Sequence, residues 1–329
     1  MRFHPRMPQL FAGAACLLIV SANWLPAPAQ TGPDTGLGFF WVHFADASHG
    51  WVGGDIPDSS VSGHRGIVMA TTNGGASWNP QLENLSSTPL SGHFPDARHG
   101  WIVQADGVIA ATSDGGTHWN SQKKLNVLLD SVHFADLTHG RVSGALGTIV
   151  ATSNGGVTWE EEEAKDAPSF LSVAFPDAQH GWAVGEGGGI FGSTKGSVWR
   201  AQDSGVQSQL NTVYFLDASH GWVAGDGGRI IMTTNGGAKW QRLPDVSGNV
   251  NCIRFVDART GWAVGSAGMI LGTVDGGSHW RTMNSGVKSN LEFVQFLDAR
   301  TGWAVGLGGA LLSTSDGGST WQAHHATLR

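Results

Sequence analysis

Short apolar runs alternate with glycine- and aspartate-rich segments along almost the whole chain. In one stretch, residues 212–215, 222–224 and 230–233 are rich in the β-branched and aromatic side chains that favour strands. Residues 217–221 and 225–228, which separate these runs, carry the Asp and Gly residues that tight turns favour. A further turn at residues 233–240 leads into a fourth run. The pattern therefore predicts four short antiparallel strands joined by tight turns.

This four-strand pattern occurs seven times. Each copy contains Phe followed two residues later by Asp and six residues later by Gly, and in six copies that Gly precedes Trp. The closing tryptophans are spaced 40 or 41 residues apart, at Trp78, Trp119, Trp159, Trp199, Trp240, Trp280 and Trp321. A four-stranded unit with a period of about 40 residues is typical of a propeller blade. We predict an all-β fold, a seven-bladed β-propeller with four antiparallel strands per blade and aromatic packing between blades.

The turn before each closing tryptophan matches the Asp-box pattern, Ser/Thr-x-Asp-x-Gly-x-x-Trp, in six copies, with Asn in place of Asp in some of them. Residues 112–119 and 314–321 are two examples. The fourth copy departs, because residues 193–199 are one residue short and include Lys195. The third copy carries Arg141 where the others have the Trp of Gly-Trp.

The N-terminal segment has the features of an export signal. Arg2 and Arg6 precede an apolar run at residues 10–20, and residues 27–29 read Ala-Pro-Ala, a small-residue cleavage site. The apolar run is too short for a comfortable membrane span. We predict a cleaved signal peptide at residues 1–29, a single propeller domain at residues 30–329, a periplasmic or secreted location, and no transmembrane anchor after cleavage.

Charge and cysteine content narrow the possible partners. Loss of Arg2 and Arg6, and of no acidic residue, changes the net charge from −7 to −9. An acidic chain without basic clusters argues against nucleic-acid binding. Cys252 is the one cysteine left after cleavage, so we expect no internal disulfide and a small core side chain at that position.

The complete unit, Phe-x-Asp-x-x-x-Gly-Trp-x-Val-Gly followed by a Gly-rich turn and an Asp-box, resembles the photosystem II assembly and stability factors among the Asp-box propellers. The resemblance covers about residues 39–325. It implies an exported, non-enzymatic scaffold that binds a protein partner and uses no cofactor. The alternatives are a propeller that binds carbohydrate or a cell-surface glycan, and a sialidase- or glycosidase-like hydrolase.

The residue inventory argues against the hydrolase alternative. A sialidase-like site needs an arginine cluster and a tyrosine nucleophile, whereas Tyr214 is the single tyrosine of the chain and occupies a repeat position. Xyloglucanase-like enzymes place two catalytic aspartates between two propellers, and one propeller is predicted here. No Gly-x-Ser-x-Gly elbow, P-loop or zinc-protease motif is present in the sequence. We predict no catalytic residues.

Three histidines are candidate metal ligands. His43, His93 and His133 occupy one position of the innermost strand in three consecutive blades, where equivalent residues approach the ring axis. Their neighbours in each strand are core Val or Phe residues, so a packing role is the alternative, and we assign no metal. By contrast, the Asp after each Phe and the His before many of the Gly-Trp pairs are expected to stabilise local turns.

Loop variation indicates a partner-binding face. The turns at the Asp-box end are nearly identical in all blades, whereas residues 53–66 of the first blade contain about nine extra residues. This insertion carries Asp55, Asp58, His64 and Arg65. We also expect a solvated acidic loop that contains four consecutive glutamates, Glu160, Glu161, Glu162 and Glu163. Because loops on a rigid scaffold commonly carry binding residues, we predict that a partner docks on this variable face.

Overall fold

The computed structural model describes residues 36–58, 63–194 and 198–325. Its strands form seven separate sheets, each built from one stretch of chain, and the sheet of blade 4 has five strands whereas the others have four. The seven-bladed, all-β prediction is therefore confirmed. The predicted signal peptide, residues 1–29, lies outside the described residues. In the described part of the chain, no helix is long and apolar enough to cross a membrane.

The strands of the first three blades are as follows, in chain order. Blade 1 contains β1 (Gly38–Phe44), β2 (Gly50–Asp58), β3 (Gly63–Thr71) and β4 (Asn79–Leu85). Blade 2 contains β5 (Pro89–His93), β6 (Gly100–Gln104), β7 (Val108–Thr112) and β8 (Asn120–Lys124). Blade 3 contains β9 (Leu129–Phe134), β10 (Gly140–Gly144), β11 (Ile149–Thr152) and β12 (Glu160–Glu161).

The remaining four blades follow the same order. Blade 4 contains β13 (Glu163–Ala164), β14 (Phe170–Ala174), β15 (His180–Gly185), β16 (Ile190–Thr194) and β17 (Val198–Gln202). Blade 5 contains β18 (Leu210–Phe215), β19 (Gly221–Gly225), β20 (Ile230–Thr233) and β21 (Gln241–Arg242). Blade 6 contains β22 (Val250–Phe255), β23 (Gly261–Gly265), β24 (Ile270–Thr273) and β25 (Arg281–Met283). Blade 7 contains β26 (Leu291–Phe296), β27 (Gly302–Gly306), β28 (Leu311–Thr314) and β29 (Gln322–Ala323).

Two local features modify this plan. Strand β13 pairs in parallel with β17, so blade 4 gains a fifth strand from the segment that follows blade 3. Short 3-10 turns join the second and third strands in four blades, at Ala145–Gly147, Glu186–Gly188, Asp226–Gly228 and Ser266–Gly268. In the turn of blade 5, Gly227 and Gly228 have φ of 68° and 72°, a left-handed conformation that glycine adopts without a steric penalty.

Aromatic stacking joins neighbouring blades, as the sequence predicted. The Trp of each Gly-Trp pair lies against the Phe of the next blade with ring centroids 3.5–3.9 Å apart, and its Nε1 donates to a glycine carbonyl of that blade's Asp-box at 3.0–3.3 Å. Six of the seven junctions share this arrangement. Stacked aromatic pairs contribute about 0.5–1.5 kcal/mol beyond the apolar area that they bury.

Described residues of blades 1 and 7 contact one another and close the ring, and an isolated β-bridge joins Gly38 and Leu307. Trp303 of blade 7 stacks on Phe44 of blade 1 at 3.6 Å. The Gln295 amide accepts from the Phe44 N–H at 2.6 Å and donates to the Phe44 carbonyl at 3.0 Å. The Gly309 N–H donates to the Leu37 carbonyl at 2.7 Å. A side chain and a loop of blade 7 therefore provide hydrogen-bond partners for backbone groups of the inner strand of blade 1 and of the residue just before it.

Candidate functional site

A central cavity of about 360 Å³ lies on the ring axis and is lined by the innermost strand of every blade. In all seven blades, the pairing of this strand with the second strand has a register irregularity near its start, as between Leu210 and Thr212. Such irregularities redirect side chains. As a result, residues equivalent to Asn211 and residues equivalent to Tyr214 both line the channel and form two layers.

The two layers face opposite ends of the ring. Asn211 donates to the Asp226 carboxylate in the turn between the second and third strands, at 3.1 Å, so its layer lies towards the variable face. Tyr214 instead lies next to Phe215, shortly before the turn at residues 217–221. The Ser219 carbonyl of that turn accepts from Gly236 of the Asp-box at 3.0 Å. The layer of Tyr214 therefore lies towards the Asp-box face.

The layer near the Asp-box face brings the three predicted histidines together. The ring centroids of His43 and His93 are 4.6 Å apart, and those of His93 and His133 are 4.5 Å apart. Each Nδ1 atom is buried without a hydrogen-bond partner. Burial, reinforced by neighbouring positive charge, lowers the pKa of His43 to about 3 and of His133 to about 4, and holds the pKa of His93 well below its ordinary value. All three imidazoles are therefore neutral at pH 7.

Arg254 lies in the same layer and is the one side chain of that layer with a full positive charge. Its guanidinium carbon lies 4.5 Å from the ring centroid of Phe293 and 5.6 Å from that of Tyr214. Its Nη1 atom donates to the Ile253 carbonyl at 2.7 Å and to the Thr212 hydroxyl at 3.4 Å. This end of the channel therefore combines a fixed cation with three neutral imidazoles.

The layer near the variable face carries two buried acids that sequence reasoning missed. Burial raises the pKa of Asp130 to about 7, with a further contribution from the negative charge of Glu186. Burial also raises the pKa of Glu292 to about 7, although Asn251 donates a hydrogen bond to its carboxyl at 3.0 Å. The available signal was an acidic residue in the inner strand, three positions before the aligned His133 or Gln295. The channel thus has an acidic end and a basic end.

The spacing of the three histidines bears on the metal-site hypothesis. Within residues 36–58, 63–194 and 198–325, no group of three or more His, Cys, Asp or Glu side chains is placed to hold a metal ion. The imidazoles of His43, His93 and His133 instead contact one another along consecutive blades.

The repeated aspartates and histidines outside the channel stabilise turns, as predicted. Asp46 accepts hydrogen bonds from the Ser48 and His49 N–H groups at 2.7 and 2.8 Å, and the equivalent bonds occur in every blade. The His49 Nδ1 lies 2.9 Å from the same carboxylate. These bonds lower the pKa of Asp46 below its usual range. Cys252 is buried and contacts the Val294 carbonyl with its sulfur at 3.7 Å, which agrees with the expected core role.

The insertion of blade 1 forms a long hairpin at the variable face. Strands β2 and β3 stay paired as far as Asp58 and Gly63. The His64 Nδ1 lies 3.4 Å from the Asp55 carboxylate, whose pKa is raised by burial. The Arg65 backbone pairs with that of Ile56, whereas the Asp58 side chain lies outside what the structure describes. Ile56 is buried, so the base of this hairpin belongs to the core.

The expectation of a solvated acidic loop is wrong for Glu162. Its side chain is 6% exposed, and its carboxylate accepts from Arg141 Nε at 2.7 Å and from Trp199 Nε1 at 2.8 Å. Arg141 also lies over the Phe175 ring at 3.9 Å and so takes the place of the usual tryptophan. Glu162 therefore cannot contact a partner directly. The exposed Glu160 and Glu161 lie on the outermost strand of blade 3, and Glu163 lies on β13 in blade 4.

These features define a seven-bladed propeller with Asp-box repeats. The family model for "Photosynthesis system II assembly factor YCF48" matches residues 163–247, 191–283 and 243–325. The matched region, residues 163–325, thus resembles the photosystem II assembly factors in its BNR-type repeats. No curated protein sequence matches it.

Two solved structures are similar to the chain. The structure titled "YCF48 bound to D1 peptide" has a TM-score of 0.69 and 22% identity, and the match covers 88% of this chain and 99% of the other. The structure of YCF48 from Cyanidioschyzon merolae has a TM-score of 0.66 and 20% identity, over 88% of this chain and 98% of the other. At these identities the likeness shows a shared fold.

Proposed function

We propose that this chain is an exported, non-enzymatic scaffold that binds a protein partner on its variable face. The observation that carries the proposal is the long hairpin of blade 1, in which β2 and β3 have nine residues each, whereas the corresponding strands of the other blades have four to six. Loops of unequal length on a rigid scaffold are suited to selective recognition. A structural neighbour that binds a D1 peptide supports a polypeptide as the ligand. The sequence pattern that predicts an export signal at residues 1–29 favours a periplasmic or secreted location.

The partner-binding residues are proposed to include Asp55, His64 and Arg65 on the hairpin. Asp58 belongs to the same proposed set. The exposed glutamates Glu160, Glu161 and Glu163 form a second, separate candidate surface in blades 3 and 4. Their negative charge would favour basic groups on a partner.

The test compares capture of host proteins by the intact chain and by two variants. One variant carries His64→Ala with Asp55→Asn, and the other carries Glu160→Gln, Glu161→Gln and Glu163→Gln while Glu162 is retained. A matched control carries Arg259→Ala and Arg300→Ala, two exposed residues of the opposite face. We expect a protein that the intact chain and the control retain and the hairpin variant loses, with little change in melting temperature.

The alternative functions give different results in parallel assays. A carbohydrate-binding propeller would bind an immobilised glycan panel that includes host cell-wall polysaccharides. A hydrolase would release the fluorophore from sialoside or glucoside substrates. Loss of capture in the opposite-face control, with retention in both variable-face variants, would refute the assignment of the docking face.

A further inference from the structure

Arg254 carries a positive charge that forms no ion pair with an acidic side chain in the described part of the chain. Among the described residues, no Asp or Glu oxygen lies within 4.0 Å of its guanidinium. The two acids of the channel, Asp130 and Glu292, belong to the other layer. A partly buried charge without a partner is costly. The channel therefore offers an incoming anion a favourable interaction that the protein itself does not supply.

The free edge of this guanidinium matches a carboxylate. Arg254 donates two hydrogen bonds to described residues, and both come from Nη1. The N–H groups of Nε and Nη2 therefore remain available as donors. The Nε–Nη2 edge is the planar fork that binds the two oxygens of a carboxylate. The ring centroids of Phe293 and Tyr214 lie 4.5 and 5.6 Å from the guanidinium carbon. The two rings therefore restrict the orientation of the guanidinium.

The three histidines offer further donors to the same cavity. His43, His93 and His133 are neutral, and a neutral imidazole carries a single N–H. Because each Nδ1 is buried without a partner, the tautomer with the proton on Nε2 avoids an unsatisfied N–H group. All three rings line the cavity into which Arg254 also projects. An arc of uncharged donors in blades 1–3 thus accompanies the cation in blade 6.

We propose that the Asp-box end of the central channel, formed by Arg254, His43, His93 and His133, binds a small carboxylate. A monoanion fits better than phosphate, since Arg254 is the one full positive charge and the acids Asp130 and Glu292 share the cavity. Like charge from that end would oppose a dianion. This site does not depend on partner docking at the variable face.

The test uses the folded chain with acetate as the probe and chloride as the control anion at equal ionic strength and pH 7.5. Histidine side-chain NMR signals of the unmodified protein are followed during the titration. We expect saturable changes for His43, His93 and His133, and none for the exposed His279. Acetate should also raise the melting temperature more than chloride does, because a ligand that binds the native state stabilises it.

Two variants check the role of the guanidinium. Arg254→Gln should weaken acetate binding by at least roughly tenfold, since it removes a charge-assisted pair of hydrogen bonds. Arg281→Gln, in the exposed outer strand of the same blade, should bind acetate as the unmodified chain does. Equal responses to acetate and chloride in the unmodified protein would overturn the proposal, and so would unchanged acetate binding by a folded Arg254→Gln variant.

Discussion

Arg141 and Glu162 show how a single substitution in the repeat requires a second one elsewhere. In the other blades, tryptophan donates to a glycine carbonyl of the next Asp-box. Blade 4 has a shorter hairpin, and there the Glu162 carboxylate accepts from both Arg141 and Trp199. The planar guanidinium keeps the stacking on Phe175, and the Glu162 carboxylate accepts the bond that a glycine carbonyl accepts at the other junctions. The two irregular positions of the repeat are thus one structural adaptation.

Glu162→Ala should destabilise the protein by about 3–5 kcal/mol, because it leaves Arg141 buried without a charge partner. Glu161→Ala, a substitution of an exposed residue of the same run, should stay within about 0.5 kcal/mol of the unmodified chain. Urea unfolding followed by tryptophan fluorescence measures both values. Equal stability of the two variants would show that the pair does not hold blades 3 and 4 together.

At the level of the element, the Asp-box hairpin is held by two side chains that bond its own backbone. In blade 6, the Thr273 hydroxyl accepts from the Asp275 and Gly277 N–H groups and donates to the Asp275 carboxylate at 2.9 Å. The carboxylate in turn accepts from the His279 N–H at 2.9 Å. Asn73 and Asn235 make the equivalent bonds through their amide oxygen. The hairpin therefore needs an oxygen acceptor at this position, and a charge is dispensable.

Thr273→Val should cost about 1–3 kcal/mol, because the isosteric side chain leaves the Gly277 N–H buried without an acceptor. Asp275→Asn should leave the melting temperature at pH 7 nearly unchanged. Thermal unfolding of the two variants at several pH values provides the measurement.

The Asp275 substitution also has a predicted pH dependence. Bonds from His279 lower the pKa of Asp275 from 3.8 to about 2 in the folded chain. A folded-state pKa below the unfolded value stabilises the protein above about pH 4, and this stabilisation is lost as the pH falls towards 2. Asp275→Asn should remove this part of the acid sensitivity. A variant with the same stability loss between pH 4 and 2 as the unmodified chain would contradict the prediction.

For the whole molecule, the ring is the unit of stability, because each blade buries its faces against two neighbours. Phe44 is 1% exposed and is covered by Trp303 from the other end of the sequence. Removal of blade 7 would expose the apolar faces of blades 1 and 6. The folded state loses about 25 cal/mol of stabilising free energy for every Å² of apolar surface that becomes exposed to water.

A chain that ends at Gly286 should therefore aggregate or fail to fold. The chain that retains blade 7 serves as the control. Size-exclusion chromatography and thermal melting distinguish the outcomes. A soluble, monomeric, cooperatively melting fragment of six blades would show that closure by the seventh is unnecessary.

The strands, the turns, the number of blades and the aromatic residues between blades were all predictable from the amino-acid sequence. These features follow from local patterns repeated every 40 or 41 residues, because equivalent residues of the repeats occupy the same packing environment. The clustering of His43, His93 and His133 was also predictable, because equivalent strand positions approach one another near the axis. The buried ion pair of Glu162 with Arg141 was not predictable. The two residues lie 21 positions apart in sequence, and their bond depends on the shape of the next blade.

The separation of charge along the channel becomes visible when the blades are assembled into the ring. Asp130 and Glu292 come from blades 3 and 7, and Arg254 comes from blade 6. Their burial and their separation into two layers depend on a register irregularity in each inner strand, which a count of alternating positions does not reveal. Electrostatic environment depends on all blades at once, whereas strand and turn formation depend mainly on neighbouring residues. For that physical reason, the repeat predicts the scaffold but not the charge distribution along its axis.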